Sequence, residues 1–202
     1  MKNLRKRKTK LPCLRCGLNP VLCICGLIPE LLLATRVLLV VHAKELKRTT
    51  NSGRLALEAL PNSVLKIRGV IGENLDLTPE LQNEFQSLLF YPSEDAVELD
   101  KDFMKTIKGP VQLIVPDGNW RQASKVAIRH SELKDIPRVK ITVPNTARHH
   151  LRAESTAYGM STLEAIAKAL GIIEGPQAEA ALMVLYCAKL AATLKGRGII
   201  SD

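Results

Sequence analysis

The sequence predicts an α/β fold, a mostly parallel sheet flanked by helices, with a small cysteine-rich module at its N-terminal end. Three observations lead there. Val37, Leu38, Leu39, Val40 and Val41 form a continuous apolar run, and residues 111–115 form another, broken only by Gln112. Runs of that length and continuity are strands buried on both faces, as parallel strands are. Extended and helical patterns alternate around them. Four of the five cysteines, Cys13, Cys16, Cys23 and Cys25, fall close together ahead of the first strand.

With 202 residues and 46% hydrophobic content, the chain can bury one core and carry a small appendage. The expected division is a mobile basic arm over 1–10, a metal-binding module over 11–30 and an α/β domain over 31–202. The longest apolar run, 180–188, falls short of the roughly 20 residues that cross a membrane. Residues 1–10 lack the apolar stretch of a signal peptide, so no membrane and a cytoplasmic setting are expected. Lys and Arg outnumber Asp and Glu by 29 to 20, for a net charge of +9. Part of the excess sits in Lys2, Arg5, Lys6, Arg7, Lys8 and Lys10. A basic arm on a basic chain favours a polyanion such as nucleic acid, although it also serves as an ordinary solubilising tail. Aromatic residues are only 3% of the chain, which argues against a surface that grips single strands by stacking many bases.

The elements follow in order. Cys13, Cys16, Cys23 and Cys25, with turns at Gly17, Asn19, Pro20 and Gly26, have the spacing to close a tetrahedral thiolate shell around structural zinc. Reduced, unliganded thiols are the plain alternative; a redox pair lacks the βαβ setting it needs. Cys187 lies in an apolar helical run and reads as a core filler. The first strand ends in His42 and opens a polar loop containing Lys44, Glu45, Lys47, Arg48, Asn51, Ser52 and Arg54. Such a loop suits anions, and Asn51 or Ser52 can cap a helix over 53–60. Next come an extended segment at 64–68, a helix over 79–87, an extended segment at 88–91 and a short helix over 100–107. Then follow the strand at 111–115, a helix over 119–130 and an extended segment at 138–143.

The second apolar strand delivers Pro116, Asp117, Gly118 and the only tryptophan, Trp120, at its carboxyl end, where ligands sit in open α/β sheets. Asp117 offers a carboxylate, Gly118 a tight turn and Trp120 a flat apolar face for a purine or a sulfonium. The plain alternative is that Asp117 caps the following helix and Trp120 fills the core.

Residues 145–160, including Arg148, His149, His150 and Leu151, form a long aperiodic loop, and loops of that length in compact domains are functional or disordered. The paired histidines lack partners at ligand spacing, so no second metal is expected. Ser161, Thr162, Leu163 and Glu164 read as a capping box opening a helix over 162–170, closed by Gly171. A last helix over 177–195 carries Ala181, Leu185, Ala188 and Ala192 at helical spacing and suits either a core or a partner.

Taken in order, the Cys-x-x-Cys and Cys-x-Cys pairs, His42-x-x-Glu45-x-x-Arg48 leading into Thr50, Asn51, Ser52, Gly53 and Arg54, then Asp117 with Trp120, then Ser161 to Ala165, resemble the DTW-domain family. The likeness spans about residues 13–190. It departs at Asn119, where the family commonly has Thr before Trp.

The resemblance implies a tRNA-uridine aminocarboxypropyltransferase with a SPOUT-like, C-terminally knotted fold. Such an enzyme transfers the 3-amino-3-carboxypropyl group of S-adenosylmethionine to N3 of a tRNA uridine and releases methylthioadenosine. On that reading Asp117 is catalytic. Pro116, Gly118, Trp120, Leu151, Ser161 and Thr162 hold the donor. His42, Glu45, Arg48, Asn51 and Arg54 hold the RNA or the donor's carboxylate. A SPOUT-like RNA methyltransferase and a non-catalytic, zinc-containing RNA-binding protein remain as alternatives.

Overall fold

The structure is a computed structural model describing residues 11–46, 48–143, 150–151 and 159–199; the basic arm, Lys47, Arg148 and His149 lie outside the described residues. Six strands build one sheet: β1 (Arg36–His42), β2 (Val64–Arg68), β3 (Gln86–Phe90), β4 (Val97–Glu98), β5 (Val111–Asp117) and β6 (Arg138–Lys140). Their order is β2-β1-β5-β3-β6-β4, and every pairing is parallel.

The apolar runs are continuous because both faces of the sheet are covered. Val37 and Leu39 join Leu113 and Val115 in one core layer, while Leu38 and Val40 join Leu89 and Ile114 in the other. On the first face lie α2 (Gly53–Glu58), α5 (Thr162–Ile173) and α6 (Pro176–Gly196), contributing Leu55, Ala56, Ile166, Leu170, Leu182 and Leu185. On the second lies α4 (Trp120–Arg129), contributing Val126 and Ala127. Each fully buried aliphatic side chain contributes about 1.5–3 kcal/mol relative to exposure. Two short helices, α1 (Ala43–Leu46) and α3 (Lys101–Met104), complete the set.

The connections diverge between β1 and β5. From β1 the chain moves to β2 at one edge; from β5 it moves past β3 to β6, toward the other. Right-handed crossovers running in opposite directions must put α2 and α4 on opposite faces, as they are. Such a divergence opens a crevice at the carboxyl ends of the two strands. Asp117 stands at that rim.

Several elements differ from expectation. The helix expected over 79–87 is only the 3₁₀ turn Thr78–Glu80, and β3 already begins at Gln86. Buried Arg36 explains it: its guanidinium takes Glu80 at 2.5 Å and Gln82 at 2.8 Å and stacks over the Phe85 ring at 5.8 Å, holding the segment against the start of β1. Gly171 does not end α5, which continues to Ile173 and stops at Gly175, whose φ of 115° only glycine adopts readily. β5 runs two residues further than expected, through Pro116 to Asp117. Cys187 is exposed and fills no core. α6 has the length and mean hydropathy, 1.2, of a membrane span. It packs on α5, and Leu182, Leu185 and Tyr186 join the first core layer, with 39% of the apolar window buried.

Candidate functional site

Asp117 follows Val115 by two residues, so its side chain points to the face carrying α2 and α5. Both of its oxygens accept short hydrogen bonds: Oδ2 from Asn51 Nδ2 and Oδ1 from Thr162 Oγ1, each at 2.6 Å. Asn51 also caps α2 by accepting from the Arg54 N–H at 3.1 Å, and Thr162 is the first residue of α5. Ser52 Oγ accepts from the Leu163 N–H at 3.2 Å, closing the ring between the two helix starts. Ser161 caps α5 by accepting from the Glu164 N–H. Gly53 lets this corner pack closely: a Cβ on it would lie 3.0 Å from Leu39 Cδ2 and 3.1 Å from Asp117 Oδ2. Three segments far apart in sequence thus converge on one carboxylate that is 7% exposed.

Asp117 does not cap α4, and Trp120 does not fill the core. Asn119 caps α4, accepting from the Gln122 N–H at 2.9 Å while the Gln122 side chain accepts from the Asn119 N–H at 2.8 Å. Asn caps at least as well as Thr, so the departure at this position keeps the helix start intact. Trp120 is 50% exposed at the mouth of a cleft of about 410 Å³.

That cleft brings together most of the expected residues. Pro116, Asp117, Gly118, Trp120, Leu151, Ser161, Thr162, Glu45 and Arg48 all line it. Glu45, 1% exposed, ion-pairs with Arg48 at 3.2 Å. Asn51 stands behind Asp117 and does not itself line the cleft. His42 packs against Gly69 and accepts from the Lys44 N–H at 3.2 Å through Nδ1, outside the cleft lining. Burial, then the Arg68 and Lys44 charges, pull its pKa down. Arg54 points away toward the cysteine module, its Nη2 donating to the Leu14 carbonyl at 3.5 Å. The remaining wall was missed in the sequence: Phe90, Tyr91 and Pro92 after β3, Lys140 and Ile141 around the end of β6, with Thr50, Met160 and Ala165. The signal was available, since the strand-end rule applies to β3 and β6 as it does to β5.

The four module cysteines form a separate centre. Their Sγ atoms all lie within 4.8 Å of one another, with Cys13 to Cys25 at 3.4 Å and Cys23 to Cys13 and to Cys16 each at 3.7 Å. Zinc–sulfur bonds of about 2.3 Å put the corners of a regular tetrahedron about 3.8 Å apart, so the set fits such an ion. The backbone at Cys16 holds the Cys13 thiol down to about 6, whereas burial pushes Cys25 up to about 12. Lys189 of α6, 0% exposed, donates through Nζ to the Cys16 carbonyl and bolts the module to the core. Gly17, with φ of 69°, packs on Thr49, so the module abuts the loop that forms the cleft floor.

The DTW domain family matches residues 10–194 of the chain. A protein named tRNA-uridine aminocarboxypropyltransferase 2 from Macaca fascicularis is 26% identical over 174 residues, 83% of this chain and 58% of the relative. Proteins of the same name from Drosophila melanogaster and Mus musculus are 27% and 26% identical over 80% of this chain, and 66% and 56% of their own length. The chain thus spans between about half and two thirds of these curated relatives. No solved structure matches it.

Proposed function

Since the chain belongs to the DTW-domain family, we propose that it transfers the 3-amino-3-carboxypropyl group of S-adenosylmethionine to N3 of a tRNA uridine in the cytoplasm. The observation that carries this reading is the shared cleft: a carboxylate clamped from two sides and a half-exposed indole face the same space. A cleft of about 410 Å³ falls in the range of small-molecule sites, and its lining mixes apolar walls at Phe90, Val115 and Leu151 with polar groups at Asp117, Ser161 and Thr162. Those residues fit a donor that joins an apolar ring system to a charged amino-acid tail.

S-adenosylmethionine supplies a sulfonium leaving group, which leaves positioning and proton removal to the protein. Trp120 offers the face for the donor's adenine or thioether side. Arg48 faces the donor's carboxylate or an RNA phosphate, with Glu45 fixing its guanidinium. Asp117 accepts a hydrogen bond from uridine N3–H and takes that proton as the N3–carbon bond forms and the carbon–sulfur bond breaks. Methylthioadenosine leaves with the electron pair. Asn51 and Thr162 keep the Asp117 carboxylate from turning away during this step. The cysteine module binds structural zinc on the same reading, with four ligands and no open position, and widens the RNA footprint. The SPOUT-like knot belongs to this reading as well, and part of its loop, 144–149 and 152–158, lies outside the described residues.

The test is incubation with unmodified tRNA and S-adenosylmethionine labelled separately in its methyl and its carboxyl carbon. Label entering RNA only from the carboxyl carbon is the expected result. Methyl label in the RNA marks a methyltransferase, and tRNA binding with neither label marks a non-catalytic binder; either result overturns the proposal.

A further inference from the structure

One helix, α4, carries cations and no acids. Arg121, Lys125 and Arg129 follow one another at four-residue spacing, so they line one stripe of α4, which contains no Asp or Glu. The stripe starts beside Trp120 at the cleft mouth and runs about 12 Å along the helix. Next to it, Arg68 at the end of β2 donates through Nη1 to the Gln122 carbonyl of α4 at 3.1 Å. Lys44, in α1 just past β1, is exposed and lies, like Arg68 and Lys125, near enough to His42 for its charge to act there. The charges converge: Arg129 acts on Arg68, and Arg68, Lys44 and Lys125 all act on His42, where buried Glu45 is the opposing charge. Among the described residues none of the five has a carboxylate within ion-pairing distance, while the other Lys and Arg side chains of β1 and β2, Arg36 and Lys66, both pair with Glu80. Like charges at helical spacing oppose folding, so an unrelieved row of them marks a surface completed by an anionic partner.

We propose that this row, Arg121, Lys125 and Arg129 with Arg68 and Lys44, is a track for consecutive phosphates of the RNA strand that delivers its uridine to the cleft. The inference rests on the proposed reading of the cleft and adds the direction of approach. RNA enters over the face of the sheet that carries α4, and Trp120 stands where the track meets the cleft. The site needs no sequence readout, since phosphate contacts fix register and orientation alone.

The experiment compares wild type with the double variant Lys125→Gln, Arg129→Gln. A control, Lys101→Gln with Lys105→Gln, neutralises two cations in and just after α3, near the opposite edge of the sheet. Affinity for unmodified bulk tRNA is measured across a salt series, together with KM and kcat for tRNA and affinity for S-adenosylmethionine. The track predicts that the slope of log affinity against log salt falls in magnitude by about 1.4–1.8 in the double variant, from about 0.7–0.9 per lost phosphate contact. It also predicts a raised KM for tRNA with kcat and donor affinity unchanged, and a control that behaves as wild type. A slope and KM equal to wild type in the double variant, with wild type binding and modifying tRNA, overturn the track and leave the cleft's function standing. Wild type that neither binds nor modifies tRNA overturns both.

Discussion

Replacing Thr162 by valine probes the Asp117 clamp with the smallest change of shape. The hydroxyl at 2.6 Å from Asp117 Oδ1 becomes a methyl, and the carboxylate, 7% exposed, loses a short side-chain donor. Hydrogen bonds to charged groups contribute about 1.5–3 kcal/mol, so Thr162→Val should destabilise the fold by about 2 kcal/mol. In urea unfolding that is a midpoint shift of about 1 M. Freed on one side, the carboxylate turns toward Asn51, and a displacement of about 1 Å costs on the order of 100-fold in turnover. Asn51→Ala should cost as much and about 1 kcal/mol more, because Asn51 Oδ1 also caps α2 at the Arg54 N–H. The two changes act on one carboxylate, so the double variant should lose less than the sum of the singles. A Thr162→Val protein within 0.5 kcal/mol of wild type and equally active would refute the clamp.

Further outcomes follow from other parts of the molecule. Trp120→Ala should leave stability nearly unchanged, because the indole is half exposed, yet should lower S-adenosylmethionine affinity measurably by calorimetry. One zinc per chain should be found by metal analysis, and Cys16→Ser or a strong chelator should remove it and lower Tm, since the free energy of binding the ion to the folded four-cysteine site is then lost. Glu80 is held below the usual glutamate range by Lys66 and then Arg36. A depressed folded pKa means its contribution is complete above about pH 4.5 and fades as pH falls through the folded value. Glu80→Gln should therefore cost about 2–4 kcal/mol at neutral pH, with the gap to wild type closing in acid, as read by denaturant titrations at several pH values.

What could be read from the sequence was local. The run 37–41 announced a strand covered on both faces, and the spacing of Ser161 and Glu164 announced a helix start, because both signals lie within a few residues. The cysteine spacing was legible for the same reason. The clamp on Asp117 was not, since its donors lie 66 and 45 positions away and meet only through the crossover geometry of α2 and α5. Asn51 read as a cap and a ligand; it is a cap and the partner of the acid. The segment 79–87 misled because its helical appearance is overridden by the buried Arg36, which draws Glu80 and Gln82 to itself. Cys187 looked like a core residue by type and lies outside the core, whereas Trp120, read as a flat face for a ligand with the core as the alternative, is half exposed.

The central claim is that Asp117 handles the uridine N3 proton in the cleft it shares with Trp120. Its most direct measurement is the mass of uridine nucleosides from tRNA treated with wild type and with Asp117→Asn, alongside the tRNA and S-adenosylmethionine affinities of both proteins. The account predicts aminocarboxypropyl uridine from wild type alone, with both affinities retained by the variant. An Asp117→Asn protein that forms the product at the wild-type rate would contradict it.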